Sequence, residues 1–552
     1  DSASQNDPVP LGGRRHYYGL FVQDDFKVSK TLTLNLGLRW EYQPPVIEVA
    51  DRLSSWEPDV IDPASGLRGA YAFAGNCGVC TGKRYFGKPD FKDFGPRVGF
   101  AWHPWEKWTF RGAYGIMYEA DSFNGYNPTP LGKPTNVQSG GTYSLSSDPV
   151  TPWAGIFNWD NGFPTNAYSP ASYDVSWGDK NRPAIIDPNY GQSPYIQQWN
   201  FNIQRELPGA MVLELGYVGV KGTRLKTGDL ARINQLPASA LAQYGARLNN
   251  AVRNAADAAA NGIAYPYPGF VGTVGSALRP YPQVQGNSTV QDYGAPLGFS
   301  TYNALQVTLN RRFRNGLTIS GNYVRSKSIG NDESSLIGDN SGPLDYYNLK
   351  LEKSITGFDI PHAVKAFVSY ELPVGRGKAF LGNAPRAVNA ILGGWSTSAI
   401  VNYFSGTPLT FSATTPLSGG WNGALNRPNI AAGDLRAAGF DRSKFELSST
   451  LSPSDTYLNK ALFSQPAPLT LGTAARRYTQ ARGFGVRNED LALSKSNQLT
   501  EKVRLSLRAE FLNALNRHQL GGITTNVNSP SFGQVTSVSG NRQVQISARV
   551  DF

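Results

Sequence analysis

The sequence lacks any long hydrophobic run. No stretch of about 18 or more apolar residues occurs among its 552 residues, so the sequence contains no candidate transmembrane helix. This absence does not exclude a membrane location, because a membrane-spanning β-strand needs only alternating apolar and polar residues. The first residues also lack the charged segment and apolar stretch that mark a signal peptide.

Charged residues and histidine are also scarce. Charged residues make up 17% of the chain, and 52 Lys and Arg against 41 Asp and Glu give a net charge of +11. The basic residues are scattered without forming a stripe, which argues against a nucleic-acid partner. The four histidines have no metal-ligand spacing, and no nucleophile elbow, phosphate-binding loop or catalytic carboxylate pair occurs. We therefore expect no enzyme, no bound metal and no cofactor.

Only two cysteines occur, Cys77 and Cys80, in the segment GNCGVCTG. No histidine follows the second cysteine and no second pair completes a zinc site, so neither haem attachment nor zinc binding is supported. A redox role would depend on the spacing alone. In an oxidising compartment, a local disulfide that pins a loop explains the pair better.

What the chain does contain is a strongly two-faced strand pattern. In TLTLNLGLRWEY, which begins at Thr31, apolar side chains occupy every second position and polar or small ones the positions between. About 11 residues at a tilt of about 45° cover about 25 Å, the height of the apolar band on an outer-membrane barrel. The segment ends in Trp40 and Tyr42, and these residue types collect at membrane interfaces.

Similar segments recur along the whole chain and are joined alternately by short and long connections. Short turns alternate with Gly-, Pro-, Asn- and Ser-rich segments of about 30 to 80 residues. That alternation is typical of membrane barrels, which have short periplasmic turns and long extracellular loops. The fold class predicted is therefore all-β, a transmembrane antiparallel β-barrel. Its thirteen predicted strands are 17–27, 31–42, 94–102, 108–118, 195–205, 210–220, 302–313, 317–327, 362–372, 395–404, 484–495, 502–512 and 541–552.

Several charged residues fall on the polar face of these strands and should point into the lumen. As lumen residues they are candidates for a substrate path or for contacts to a plug. The alternative is charge ladders between neighbouring strands, which a polar lumen needs in any case. The candidates are Arg39, Arg97, Arg111, Arg508 and Glu510.

Two features of the long connections are also notable. Helical spacing after Pro237, through Leu241, Tyr244, Leu248 and Val252, predicts a helix in one of them. Aromatic residues in the loops could stack on sugars or aromatic chelates, or could equally pack the loops together. They include Trp153, Trp159, Trp177 and Trp421.

The strand count is odd. Single-chain bacterial barrels have an even number of strands, and a closed barrel leaves no free edge. Together with the lack of a signal peptide, the odd count leads us to expect further strands upstream of Asp1.

Several segments resemble the barrel of Oar-like TonB-dependent transporters. They are YGLFVQDDFKVSKTLTLNLGLRWEY, YIQQWNFNIQRELPGAMVLELGYVGVKGTRL, YNALQVTLNRRF, YELPVGRGKAF and LRAEFLNALNRHQ. The terminal Phe552, at the end of an alternating strand, is similar to the signal that outer-membrane assembly machinery reads. The resemblance implies a barrel of about 22 strands around an N-terminal plug. It also implies a TonB-contacting peptide before the plug and a carboxypeptidase-regulatory-like N-terminal domain.

On this resemblance, residues 1–552 are the C-terminal portion of the barrel domain, without the plug and the N-terminal domain. The implied function is energy-coupled uptake through the plugged lumen, in the bacterial outer membrane. The expected partners are outer-membrane lipid, the TonB complex acting on the plug, the barrel assembly machinery and an unidentified imported ligand. The alternatives are an outer-membrane surface or adhesion protein without transport activity, and a passive porin with an open lumen.

Overall fold

The computed structural model describes most of the chain. The described residues are 2–6, 12–119, 142–146, 160, 173–176, 183–189, 191–227, 230–285, 290–333, 342–415, 417, 421, 426–445, 447 and 455–552. Within these ranges, no helix is long and apolar enough to cross a membrane, a finding that does not bear on crossing by strands.

Thirteen long strands form one antiparallel sheet, and each predicted strand is confirmed. Their bounds are β1 Tyr18–Lys27, β2 Leu32–Tyr42, β3 Asp93–Trp102, β4 Trp108–Tyr118, β5 Tyr195–Leu207, β6 Met211–Leu225, β7 Gly298–Arg314, β8 Leu317–Gly330, β9 His362–Glu371, β10 Trp395–Phe404, β11 Val486–Gln498, β12 Arg504–Leu512 and β13 Gln543–Asp551. Strands adjacent in sequence are adjacent in the sheet, from β1 to β13 without a crossover. A two-residue strand, Ser354–Ile355, adds to the end of β8.

Because every strand runs antiparallel to its neighbour, the connections fall alternately at the two ends of the sheet. Five connections at one end have two to five residues, and the sixth, 372–394, contains the helix Arg386–Leu392. The tightest joins β7 to β8 through Asn315 and Gly316, both with positive φ, as a two-residue hairpin turn requires. The other end carries loop 1 (43–92), loop 2 (119–194), loop 3 (226–297), loop 4 (331–361), loop 5 (405–485) and loop 6 (513–542). The predicted segregation of short turns from long loops is confirmed.

The sheet is open at both sides among the described residues. Strand β1 pairs only with β2, and β13 pairs only with β12. Every residue of β1 is exposed, and so is nearly every residue of β13, as expected of edge strands with no second neighbour.

One face of the sheet is a continuous apolar surface. Cα partners on this face form a ladder across six strands, composed of Leu34, Phe100, Gly112, Phe201, Tyr217 and Leu305. A second ladder on the same face crosses the other strands through Ile319, Val368, Ala399, Leu491, Phe511 and Val544. Leu36, Val98 and Leu305 are 42–50% exposed although they lie in mid-strand. A water-soluble protein rarely leaves so wide an apolar surface uncovered.

The buried hydrophobic residues lie almost entirely in the long loops. Four clusters each join different loops: Trp56 of loop 1 packs with Ile185 of loop 2 and Val284 of loop 3, and Trp421 of loop 5 packs with Leu248 of loop 3. Further clusters join loop 1 to loop 2 and loop 5 to loop 6. Loop 4 joins loop 3 through a hydrogen bond from Gln235 to Asp345. The described parts of loops 1 to 6 therefore form a folded body, which we call the loop layer.

The loop layer contains short secondary structure. Among the described residues, its helices are Ala238–Tyr244, Ala255–Ala260 and Val274–Ala277, with 3-10 turns at Gly245–Asn249, Tyr346–Glu352 and Lys460–Leu462. The strand pairs described within it are Ser54–Ile61 with Arg68–Phe73, Ala184–Ile186 with Gln291–Tyr293, Ala251–Val252 with Gly272–Thr273, Asn429–Ile430 with Phe463–Ser464, and Gln519–Gly521 with Ser537–Ser539. Ile47–Glu48 of loop 1 also pairs with Gly13–Arg14, which precede β1. The strands Ser2–Asn6 and Thr142–Ser146 also pair.

The helix predicted after Pro237 is shorter than its spacing suggested. It begins at Ala238 and ends at Tyr244, because Gly245 takes a positive φ of 51° and turns the chain into a 3-10 segment. Leu241 and Leu248 are buried as the pattern required, but Val252 lies in a short strand. The apolar spacing identified the buried face correctly and the helix end incorrectly.

Candidate functional site

The polar face of the sheet carries Arg97 on β3 among small residues. Arg97 is the Cα partner of Gly37 on one side and Gly115 on the other. A Cβ added at either glycine would stand 3.7 or 3.5 Å from carbon atoms of the Arg97 side chain. Because the two glycines have no side chains, no side chain from either neighbouring strand lies directly beside Arg97 in its row of Cα partners.

Arg111 on β4 is also on this face, between Ala101 and Asn202. Arg97 and Arg111 are both exposed. Within the described part of the chain, neither guanidinium group has a hydrogen-bond or ion-pair partner. The wall formed by β2 to β5 therefore presents two uncompensated positive charges to the space that it faces.

The other predicted lumen residues are paired with one another along their own strands. Arg39 forms an ion pair with Glu41, two residues later on the same face, and its Nη2 donates to the hydroxyl of Tyr17 at 2.8 Å. Nη2 of Arg508 lies 2.7 Å from Oε1 of Glu510. For these residues the pairing is the simpler explanation, so Arg97 and Arg111 remain our proposed substrate contacts.

Buried ion pairs fasten loop 4 to loop 5. Glu352 of loop 4 is fully buried, and its Oε2 accepts from Nη2 of Arg427 at 2.5 Å, with Nη1 of Arg476 at 3.7 Å. Glu333 pairs with Arg477 at 2.9 Å, where both side chains are at most 3% exposed.

A further pair links loop 4 to the end of loop 5. Oδ2 of Asp359 accepts from Nη2 of Arg482 at 2.5 Å, and its Oδ1 accepts from the backbone N–H of Ser328 at 2.6 Å. Breaking a buried ion pair is costly because the remaining charge loses its partner inside the protein. These contacts therefore hold loops 4 and 5 in one relative position.

Loops 2 and 3 are joined through a pair of carboxyl groups. Asp292 follows Gln291 in the short strand that runs parallel to Ala184–Ile186, and Asp187 comes directly after that partner strand. Burial, together with the charge and the hydrogen bond of nearby Asp187, raises the pKa of Asp292 to about 9. At neutral pH, Asp292 therefore keeps its proton and bonds to Asp187 instead of repelling it.

The sequence match agrees with this geometry. Residues 1–545 match a family model described as an outer membrane beta barrel domain. The chain belongs to the outer membrane beta barrel domain family. It is therefore a protein of the bacterial outer membrane, and the exposed apolar face of its sheet is the face that meets lipid. No curated protein matches the chain.

Solved structures that resemble this outer membrane barrel are larger than it. The ferripyoverdine receptor of the outer membrane of Pseudomonas aeruginosa is 10% identical with a TM-score of 0.38, over 98% of this chain and 39% of that chain. The FrpB iron transporter from Neisseria meningitidis is 9% identical with a TM-score of 0.39, over 98% and 46%. The outer membrane transporter YddB from Escherichia coli is 10% identical with a TM-score of 0.38, over 98% and 54%. This chain spans about two fifths to one half of their lengths.

Membership in the family gives the two faces of this barrel a direction. Lipid covers the apolar face, so the polar face with Arg97 and Arg111 lines the lumen. In such barrels the long loops are extracellular and the short turns periplasmic. The loop layer of this outer membrane barrel is thus the part that meets the outside.

The cysteine pair of this barrel lies in the loop layer, in loop 1. Cys77 and Cys80 are joined by a disulfide with their Cα atoms 4.8 Å apart, and the N–H of Cys80 donates to the carbonyl of Cys77. The bond closes a tight turn beside the hairpin that ends at Phe73. Its formation in the cell stays a prediction.

Thiol labelling of intact cells tests that prediction. Without reductant, a membrane-impermeant maleimide is expected to label neither cysteine, because both sulfurs are bonded to each other. After mild reduction, both should react. The variant Cys80→Ser serves as the matched control, since its free Cys77 should be labelled without reductant. Strong labelling of the unaltered protein would contradict the disulfide.

Sequence reasoning missed the ion pairs of loops 4 and 5. The one local signal was the adjacent Arg476 and Arg477, but their acidic partners lie about 120 to 145 residues away. Of the loop aromatics, Trp421 is buried in a hydrophobic cluster, which supports packing. Trp153, Trp159 and Trp177 lie outside the described residues.

The C-terminal aromatic residue was also predicted to serve as a signal for the outer-membrane assembly machinery. Phe552 follows β13 at the open edge of the sheet and is 96% exposed. Its use as an assembly signal stays a prediction.

Proposed function

We propose that this chain forms part of the barrel of an energy-coupled transporter, which imports a substrate through a plugged lumen. The observation that supports this function most strongly is the width of the sheet. Barrels of about 8 strands fill their interior with side chains, whereas those of about 16 or more leave a channel or a plugged lumen. Thirteen strands with two unpaired edges already exceed the filled class.

The positive charges on the polar face favour a substrate that carries an anionic group. Arg97 and Arg111 leave two positive charges uncompensated on the lumen wall, and guanidinium groups bind carboxylates and oxyanions strongly. The loop layer would capture the substrate outside, since its loops are fixed to one another by buried contacts. Coupling to the TonB complex follows from the resemblance to Oar-like transporters, in which it acts through the plug.

The test uses the full-length protein in its own bacterium. Growth media would be compared by mass spectrometry after culture of the parent, a strain lacking the gene, a strain lacking TonB, and the parent treated with a protonophore. We expect at least one anionic compound that only the untreated parent removes. The double variant Arg97→Gln/Arg111→Gln should remove it more slowly, whereas Arg504→Gln, a charge loss elsewhere on the lumen face, should not.

A surface or adhesion protein is the second candidate. It is favoured by the loop layer, which is a folded body with its own hydrophobic clusters rather than a set of separate loops. If the gene deletion abolished attachment to a surface while all compounds were still consumed, this candidate would replace transport. Free diffusion of arabinose through liposomes containing the full-length protein would indicate a passive porin instead.

A further inference from the structure

Three arginines crowd together on the outer, lipid-facing side of the barrel, just above the apolar band. Arg487 lies on β11 at the same parity as Leu491 and Leu493, which belong to the lipid-facing surface. Its Cα partner on β10 is Tyr403, a residue type that collects at the membrane interface. Arg487 thus points outward where the strands leave the bilayer toward the loop layer.

Loops 5 and 6 each add one arginine to this position. Arg442 of loop 5 and Arg517 of loop 6 line the same two cavities as Arg487. Partial desolvation by its surroundings lowers the pKa of Arg442, and the neighbouring charges of Arg487 and Arg517 lower it further. Three guanidinium groups from three different segments therefore lie on the lining of the same cavities, where their positive charges repel one another.

One acidic group only partly balances these charges. Nε of Arg517 donates to both carboxylate oxygens of Glu489, at 2.7 and 2.8 Å. Arg442 donates to the backbone carbonyl of His518 at 2.6 Å, which neutralises no charge. Arg487 has no hydrogen-bond or ion-pair partner in the part of the chain that the structure describes. An excess of positive charge remains.

Both cavities beside the arginines are also lined by apolar or aromatic side chains. One has a volume of about 760 Å³ and is lined by the rings of Phe440, Phe484 and Tyr457, with Arg436 as a further cation. The other, of about 660 Å³, is lined by Phe445, Leu447 and Leu515, and the latter two are 60% and 57% exposed. An anion bound by the arginines would therefore have apolar surface directly beside it.

We propose that Arg442, Arg487 and Arg517 bind the phosphate-bearing headgroup of a lipid in the outer leaflet of the outer membrane. The site is continuous with the lipid-facing surface, so a lipid in the leaflet reaches it without leaving the membrane. Basic clusters at membrane surfaces attract anionic headgroups by about 1 kcal/mol per Lys or Arg. The acyl chains would cover the exposed leucines and the apolar ladders below. This lipid site is separate from the lumen and independent of transport.

The experiment measures lipid binding to the purified full-length protein in neutral detergent. Native mass spectrometry would count bound bis-phosphorylated lipid A, with dephosphorylated lipid A and inorganic phosphate as comparison ligands. The variant Arg442→Gln/Arg487→Gln should weaken binding of the phosphorylated lipid about 30-fold, the equivalent of about 2 kcal/mol at tenfold per 1.4 kcal/mol. Both residues are exposed, so the barrel should fold normally, as its heat-dependent mobility on gels will show.

The control variant Arg504→Gln/Arg549→Gln removes two positive charges from the lumen face and should leave lipid binding unchanged. Replacing Leu515 by Asn should weaken lipid binding without affecting inorganic phosphate. Equal binding of phosphorylated and dephosphorylated lipid would overturn the proposal, and so would equal loss in the control. Tight binding of inorganic phosphate with no effect of Leu515→Asn would show a site for a free anion rather than a lipid.

Discussion

Leu36→Arg is expected to prevent stable assembly of the full-length protein, while Asn35→Arg one residue away is tolerated. Leu36 lies mid-strand on the lipid-facing side of β2, where it is 42% exposed, with Val98 as its partner on β3. An arginine there would stand in the hydrocarbon at a cost of roughly 2–4 kcal/mol. Asn35 points into the lumen and donates to Oδ1 of Asp25 at 2.6 Å, so an arginine would keep an acidic neighbour.

The measurement is the amount of folded protein in isolated outer membranes, with the urea concentration of half-unfolding in liposomes as the quantitative readout. Spin labels at the same two positions provide an independent check. A label at Leu36 should be accessible to oxygen dissolved in lipid, and one at Asn35 should not. Equal tolerance of both arginines would mean that the apolar face does not meet lipid.

Glu352→Gln is expected to loosen the contact between loop 4 and loop 5. The change leaves Arg427 and Arg476 buried without the carboxylate that both contact, and breaking such a pair costs about 3–5 kcal/mol. Hydrogen exchange should rise in the segments on either side of these contacts, with little change in the strands of the sheet. Trypsin added to intact cells should cut loop 5 faster.

A matched control is available in loop 1. Asp59 pairs with Arg68 at 3.3 Å, but these side chains are 89% and 72% exposed, so the pair is screened by water. Asp59→Asn should therefore change neither exchange nor cleavage. If Glu352→Gln behaved like Asp59→Asn, the contacts of Glu352 with Arg427 and Arg476 would not contribute to holding loops 4 and 5 together.

The strands could be read from the sequence because their signal is local. Alternation between apolar and polar residues defines both the strand and its lipid-facing side, whatever its neighbours are. The pattern placed some strand ends incorrectly, and the largest differences are extensions toward the loops. Strand β6 runs on to Leu225 and β7 starts at Gly298, past the predicted ends, because backbone pairing continues after the requirement for apolar side chains has ended.

The lumen candidates were only partly predictable. Their parity placed Arg39, Arg97, Arg111, Arg508 and Glu510 on one face, and the spacing of Arg508 and Glu510 already allowed a pair within one strand. The isolation of Arg97 depends on Gly37 and Gly115, which belong to neighbouring strands. Which residues flank it is fixed by register, and register is a property of the assembled sheet.

The sequence by itself thus determined the thirteen strands, their two faces, the alternation of turns with loops and the membrane environment. Tertiary structure alone decided the contacts of the loop layer and the outer arginine cluster. Glu352 meets Arg427 across 75 residues, and Arg442, Arg487 and Arg517 come from two loops and a strand. No periodicity encodes such contacts, because they form only when long loops close over a sheet whose register is already set.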